Sequence, residues 1–372
     1  MTWPNANFLD VVRDVSGGNL KIPKSAYQGS GSIPVIDQGQ SPIAGYTDDP
    51  SFAFKSAELP VVIFGDHTRA LKFADSKFAM GADGVKVLKP SDDCDARYLY
   101  HYLRQANLPD AGYSRHYKFL KELKIPLPPL PEQRRIASIL DKADALRAKR
   151  REAIAKCDQL LQSVFLDMFG DPVTNPKGWP IENLGDVCNV RDGTHDSPKY
   201  VADGYPLVTS KNLVSGRVDL EGAMLISAED YEQVNRRSKV SQGDILMPMI
   251  GTIGNPVLVD HEPNYAIKNI ALLRFTGASI SNVYVLHLLQ SHFFDWYTSQ
   301  RNRGGTQKFL ALGAIRGMPI PVPDHLTQEA FEERFSALQS QMQQLEDAER
   351  RADELFMSAQ QRAFSGQLSP AA

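Results

Sequence analysis

Ile125-Pro126-Leu127-Pro128 returns 195 residues later as Ile320-Pro321-Val322-Pro323. After each tetrapeptide, a long run lacking Gly and Pro, 132–169 and then 324–365, reads as a single helix. The register then holds without a gap. Gln133 falls on Gln328, Ala153 on Ala348, Asp158 on Asp353, Leu160 on Leu355, Ser163 on Ser358 and Phe169 on Phe364. A chain built as globule, helix, globule, helix carries two similar units, an arrangement suited to a two-fold or bipartite target.

Working outward, four segments are expected: a first globule at 1–124, a central helix at 125–171, a second globule at 172–323 and a C-terminal helix at 324–372. In the first globule, Ile33–Ile36, Val61–Phe64 and Val85–Leu88 are strand-like, and Ala96–Gln105 is helical. The second repeats that order with Tyr205–Val208, Asp244–Met247 and Ile270–Phe275, then a helix near Val283–Gln290. Leu9, Val12 and Val15 resemble Leu184, Val187 and Val190. The fold class is therefore mixed, α/β of the α+β kind, with two globules of one ancestry. His101 and His287 sit at matching places on the globule helices and read as packing residues.

Both long helices carry apolar residues at steps of three and four. The first has Ile136, Leu140, Ala143, Leu146, Ala153, Cys157, Leu160 and Val164. The second has Phe331, Phe335, Leu338, Met342, Leu345, Ala352, Phe356 and Ala359. Such stripes predict a coiled-coil-like antiparallel pair with pseudo-two-fold character, each helix roughly 50 Å long at about 1.5 Å per residue. Pro131 suits a first helical turn, Glu132 suits the positive helix end, and Thr327 suits an N-cap.

The composition bounds the function. The 372 residues suffice for two or three domains, and no apolar run approaches the ~20 residues of a membrane span. Met1-Thr2-Trp3-Pro4-Asn5 has no signal-peptide character. The three cysteines, Cys94, Cys157 and Cys188, are far apart, which fits free thiols in a reducing cytoplasm. The net charge is −3, and the acidity is concentrated in 324–372, which carries 4 basic and 9 acidic residues. Without a basic excess, phosphate attraction is weak, so a DNA-binding role calls for partners that add positive surface.

Catalytic signatures are missing. Gly251-Thr252-Ile253-Gly254 fits no nucleotide loop, and Asn175-Pro176-Lys177-Gly178 fails the amino-methyltransferase tetrapeptide. No Cys/His spacing suits a metal, so neither a metal site nor a catalytic residue is assigned. Binding loops are present instead. Gln38, Gln40, His67, Thr68, Arg69, Arg115, His116 and Lys118 are the candidates in the first globule. Arg191, Thr194, His195, Lys199, Ser210, Lys211, Asn212, Arg301, Arg303, Thr306, Gln307 and Lys308 are those in the second. Arg suits guanine edges, Asn and Gln suit adenine, and Lys or Ser suits phosphate.

At these residues the chain resembles the specificity (S) subunits of type I restriction–modification systems. Leu127-Pro128-Pro129-Leu130-Pro131-Glu132-Gln133-Arg134-Arg135-Ile136-Ala137 resembles the proline-rich opening of their central helix. Asp192-Gly193-Thr194-His195, and Ile36-Asp37-Gln38-Gly39-Gln40 leading to Ile43-Ala44-Gly45-Tyr46, resemble parts of their target recognition domains. The second helix departs from the pattern, with Asp324-His325-Leu326-Thr327-Gln328 in place of a Pro-Leu-Pro-Glu-Gln opening. The resemblance implies a non-catalytic chain whose two domains each read half of a bipartite double-stranded DNA site. It implies helices that set the unread gap, and two methyltransferase (M) subunits docked near Pro128, Glu132, Gln133 and Arg134. S-adenosylmethionine would belong to those subunits, and ATP and Mg²⁺ to motor–endonuclease (R) subunits. Three alternatives stay open: the specificity chain of a type IIB-like or stand-alone adenine methyltransferase, a coiled-coil protein-binding scaffold without DNA contact, and a nuclease with a degenerate site.

Overall fold

The computed structural model describes residues 3–110, 112, 114–250, 253–301 and 310–368. Its contacts divide into two units, Met1–Glu152 with Glu346–Ala372, and Ala153–Leu345.

The first unit begins with strand β1 (Asn5–Asn7), the short helix α1 (Phe8–Val11) and β2 (Val12–Asp14). There follow β3 (Ile33–Ile36), β4 (Gly45–Thr47), β5 (Val61–Gly65), β6 (Leu71–Ala74), β7 (Ala79–Met80) and β8 (Val85–Pro90). Helices α2 (Ala96–Gln105) and α3 (Tyr117–Leu120), strand β9 (Lys124–Pro126) and the long helix α4 (Leu130–Phe169) come next. The main sheet is antiparallel in the order β2-β8-β5-β6. A second sheet has the order β4-β3-β7, with β3 and β7 parallel. Strand β5 is buried along its whole length because side chains alternate between two cores. Val62 and Phe64 join Phe8, Tyr98, Ile136 and Phe364. Val61 and Ile63 join Ile36, Met80 and Val87. The Asp95 carboxylate caps α2, accepting from the backbone N–H of Arg97 at 2.9 Å and Tyr98 at 3.0 Å.

The second unit repeats this plan. It contains β10 (Ile181–Asn183), α5 (Leu184–Val187), β11 (Asn189–Asp192), β12 (Tyr200–Val201), β13 (Tyr205–Val208), β14 (Leu213–Val214), β15 (Arg217–Val218) and β16 (Met224–Ile226). Helix α6 (Ala228–Ser238), then β17 (Ile245–Pro248), β18 (Val257–Leu258), β19 (Ala266–Ile267) and β20 (Ile270–Arg274), continue it. Helices α7 (Asn282–Gln290), α8 (His292–Ser299) and α9 (Leu312–Arg316), β21 (Pro319–Pro321) and the long helix α10 (His325–Phe364) complete the chain. The sheets are β11-β20-β17-β18 and β12-β16-β13-β19, with β13 and β19 parallel, so both sheet plans recur.

The repeat is closer in structure than in sequence. Helices α4 and α10 each have 40 residues and begin and end at the same 195-residue offset, which makes them about 60 Å long rather than 50 Å. Tyr98 Oη donates to the Pro126 carbonyl at 2.6 Å, and Tyr284 Oη to that of Pro321 at 2.7 Å. Trp3 Nε1 donates to the Ala363 carbonyl at 3.4 Å, and Trp179 Nε1 to that of Phe169 at 2.9 Å. The equivalence proposed for Leu9 needs correction by one residue. Phe8 is the buried counterpart of Leu184, whereas Leu9 is 59% exposed. Asn7 and Asn183 confirm this register, donating to Asp10 and Asp186 respectively, each at 2.9 Å.

Gln133 and Gln328 are a matched pair of internal staples. Gln133 accepts from the Asp95 N–H and donates to the carbonyls of Asp93 and Pro128, all at 2.8 Å. Gln328 accepts from the Ser281 N–H and donates to the Pro323 carbonyl, both at 2.7 Å. Each ties a long helix to the N-cap of its unit's globule helix. Gln133→Leu strands these buried groups and is expected to cost about 1–3 kcal/mol in chemical denaturation. An unchanged midpoint would contradict the staple.

Within the first unit, α4 and α10 run antiparallel: Arg147 pairs with Asp353, and Arg151 pairs with Glu349 at 2.6 Å. In the second, Phe165 and Phe169 of α4 pack on Phe331, near the start of α10. The seam differs from the expected stripe. Leu146 and Leu160 are 56% and 49% exposed, while Leu161 and Phe165 are buried. Arginine and carboxylate side chains thus occupy part of the seam where an unbroken heptad was expected. Asp324, not Thr327, serves as the cap of α10, accepting from the Thr327 N–H and hydroxyl, each at 2.9 Å.

Both globule histidines pack inside. His101 is fully buried and bonds Asp141 at 2.8 Å. His287 lies among Phe165, Phe331 and Phe335, and burial pushes its pKa down to about 4. Its Nε2 finds no hydrogen-bond partner among the described residues. The unfolded chain therefore takes up a proton between about pH 6.5 and 4 that the folded chain refuses. Stability is full above the upper limit and falls as pH drops through this window. His287→Leu is expected to raise the melting temperature more at pH 5 than at pH 8; an equal gain at both would contradict the assignment.

Candidate nucleic-acid interface

In the first unit, the loops after β3, β5 and β7 meet around Gln38. Its Nε2 donates to the Asp83 carbonyl at 3.0 Å, and its Oε1 accepts from the His67 N–H at 3.3 Å. The Thr68 hydroxyl donates to the Gln38 carbonyl. Gly84 adopts φ +89°, and a Cβ there would lie 2.5 Å from Gln38 Oε1, so only glycine permits this close approach. Buried Lys72 donates to the Asp37 carbonyl at 2.8 Å and holds the loop from below. A cleft of about 680 Å³ opens beside this cluster, lined by Asn19, Lys21, His67, Asp83, Lys86 and Arg115. On its wall, burial opposes ionisation of Asp14, but hydrogen bonds from Lys86 and Ser16 outweigh it and hold the carboxyl below its usual range.

The remaining candidates of this unit are dispersed. Gln40 and Lys118 are exposed. Arg69, in a left-handed turn at φ 60°, pairs with Asp110 at 3.2 Å. His116 is 1% exposed, and its backbone N–H donates to the Asp66 carbonyl at 2.8 Å. It anchors the chain and is not positioned to read a base. Tyr113, part of the same stretch, lies outside the described residues.

In the second unit, the loop after β11 faces the end of α6 across a cleft of about 440 Å³. Thr194 is fixed through its backbone, donating to the Ile267 carbonyl at 3.0 Å and accepting from the Asn269 N–H at 3.1 Å. His195 bridges Asp192 at 2.9 Å and Asn269 at 2.8 Å. The bond to Asn269, then that to Asp192, raises its pKa above the ordinary histidine value. Asp192 also pairs with Arg237. Burial opposes its ionisation, but His195 and Arg237 prevail and hold its pKa down. Arg191 is occupied by Asn189 at 3.1 Å and the Arg237 carbonyl at 3.0 Å.

Lys199 and Lys211 are exposed and Ser210 half-buried. Asn212 is only 9% exposed, and its amide joins Thr209 at 2.9 Å to the Asp219 carbonyl at 3.0 Å, a turn-forming role rather than a contact. Arg301 lies over the Tyr297 ring at 3.8 Å. Arg303, Thr306, Gln307 and Lys308 lie outside the described residues. Of the four residues at the opening of α4, Pro128 and Gln133 are buried and Glu132 is paired with Arg135 at 2.7 Å. Arg134 is exposed.

Two units with one frame and differently lined clefts point to one family. Residues 10–156 and 176–352 each match the type I restriction modification DNA specificity domain. The chain belongs to that family. It is a DNA sequence-specificity chain, a recognition subunit rather than an enzyme. The MjaVIII type I restriction enzyme specificity subunit of Methanocaldococcus jannaschii is 23% identical over 319 residues, covering 77% of this chain and 75% of that one. The EcoR124I/EcoR124II specificity subunit of Escherichia coli is 24% identical over 325 residues, covering 80% and 77%. The fold is shared with the crystal structure of a type I S subunit from M. genitalium, at a TM-score of 0.62 and 16% identity, covering 100% of this chain and 97% of that one. Among the described residues, no helix of this specificity chain is long and apolar enough to cross a membrane.

The sequence reading misses Lys21 and Arg237, which line the clefts, and Lys268 and Asn269, which hold the cleft residues Ser197 and His195. A signal existed for Arg237. Ser227 and Asp230 form an N-cap pair, with the Asp230 N–H donating to Ser227 Oγ at 3.1 Å, and that pair announces α6. Lys268 and Asn269 have no such local mark; the first reaches Ser197 at 2.6 Å only through the fold.

Proposed function

We propose that each unit of this specificity chain reads one half of a bipartite DNA site, and that α4 and α10 set the unread gap by their length. The observation that carries this reading is the structural repeat. The same two sheets and the same tyrosine and glutamine anchors recur, while the cleft linings differ between the units. A common frame with different lining chemistry is what two unlike half-sites require.

In this reading, two methyltransferase subunits dock along the helices and flip the target adenine out of the duplex. They hold S-adenosylmethionine, while motor–endonuclease subunits bring ATP and Mg²⁺. Ile139, Leu146 and Leu160, 36%, 56% and 49% exposed on α4, and Arg134 at its opening offer surface for the first of these partners. The near-neutral charge is consistent with partners supplying part of the phosphate grip.

The test is an exchange of residues 178–318 for the matching segment of another specificity chain, followed by single-molecule sequencing for modified adenine. One half-site is expected to change while the other half and the gap persist. Change in both halves would refute modular reading.

A further inference from the structure

Helix α6 has no helical counterpart in the first unit, where only two 3₁₀ turns, Pro50–Phe52 and Ser56–Glu58, lie between β4 and β5. Its inner face is anchored. Tyr231 stacks on Tyr205 with ring centroids 4.1 Å apart, and Val234 packs against the core of Leu207, Ile226 and Ala266. Gln233 and Arg237, one turn apart, line the cleft opposite Thr194 and Pro198.

The Arg237 guanidinium is tethered to the cleft wall at one of its nitrogens. Its Nη2 donates to one oxygen of Asp192, whose side chain is 8% exposed at the cleft wall. The other oxygen of Asp192 takes His195 Nε2 at 2.9 Å, and His195 Nδ1 faces Asn269 Oδ1 at 2.8 Å. Both ring nitrogens are therefore engaged with oxygen atoms of the protein, which leaves neither of them for a ligand. Asn269 itself sits at φ 55°, a conformation asparagine tolerates better than most residues. Arg191 secures the helix end by donating to the Arg237 carbonyl at 3.0 Å. Arg237 remains 66% exposed, and Asp192 takes one of its five N–H donors.

We propose that α6 is the base-reading helix of the second unit, with Arg237 as a guanine-directed specificity residue and Asp192, His195 and Asn269 as its positioning residues. This rests on the half-site reading above and deepens it. A guanidinium aligned by a buried carboxylate suits the O6 and N7 acceptors of guanine, which need a bidentate donor in a set plane. A backbone phosphate gains less from such alignment. His195, taken by sequence alone as a contact, becomes part of the support.

The test uses the full chain expressed with its own methyltransferase, and single-molecule sequencing of the modified motif. Arg237→Ala is expected to relax one guanine position in one half-site by roughly 5- to 150-fold, leaving the other half and the gap unchanged. Arg237→Lys keeps the charge but not the fork, and is expected to relax the same position. Asp192→Asn is expected to loosen that position and no other. A motif restored in full by lysine, with methylation lowered evenly by alanine, would assign Arg237 to a phosphate and overturn the proposal. So would a motif unchanged in both Arg237 variants. A drop in melting temperature of Asp192→Asn with an intact motif would reduce Asp192 to a structural role and overturn the positioning claim. A parent chain with no bipartite motif would instead remove the half-site reading, and this proposal with it.

Discussion

Deleting residues 148–154 from α4 together with 346–352 from α10 is expected to shorten the unread gap by about three base pairs and leave both half-sites unchanged. Arg151 in the first segment pairs with Glu349 in the second at 2.6 Å, in the same antiparallel register that joins Arg147 to Asp353. Removing both segments takes away the Arg151–Glu349 pair as a unit, while Asp353 keeps its partner Arg147. Seven residues also preserve the seam, because a heptad returns the same face of the helix. Each helix shortens by about 10 Å at 1.5 Å per residue, which corresponds to about three steps of 3.4 Å along B-DNA. A motif whose gap is unaltered in a chain that still directs methylation would refute the spacer role.

Phe165→Ala is expected to cost about 3–5 kcal/mol, a large part of a domain's usual stability of about 5–15 kcal/mol. Phe165 is 2% exposed, with the rings of Phe169, Tyr284 and Phe331 at 5.0, 5.6 and 5.7 Å. These rings join both long helices to α7, and alanine leaves a void that such a packed site cannot close. The matching residue in the first unit is Gln360, whose amide donates to the His101 carbonyl at 3.1 Å. In the first unit this polar contact is added to an aromatic one, Phe364 of α10 against Tyr98 of α2 at 5.2 Å, so only the position of Phe165 changes its chemistry between the units. Urea unfolding of the parent and variant measures the cost, and a loss below about 1 kcal/mol would show that the cluster is not what secures the joint.

Most of the architecture was legible because the residues that decide it act locally. Prolines at 126, 128, 321 and 323 mark where two long helices begin, free of Gly and, past Pro131, of Pro, and Val61-Val62-Ile63-Phe64 is apolar on both faces because both are covered. Errors arose where tertiary contacts overrule a local pattern. Leu146 and Leu160 carry the right spacing, yet they turn outward while Arg147 takes a place against Asp353. Leu9 looks as good a partner for Leu184 as Phe8 does until strand pairing fixes the register.

The loops were harder still. His116 and Asn212 have the polarity of DNA contacts, but their polar groups serve their own backbones. Gln38 was found, though not its role as a hub between three loops. The alignment of Arg237 by Asp192 joins residues 45 apart in sequence, and no spacing rule announces it.

The central claim is that this chain confers a bipartite DNA specificity on a methyltransferase it does not itself contain. Single-molecule sequencing of genomic DNA, from cells with and without this gene and with the same methyltransferase expressed in both, tests it most directly. A modified-adenine motif in two short parts around a fixed gap is expected, present only with the gene. Identical methylation in the two strains would contradict it.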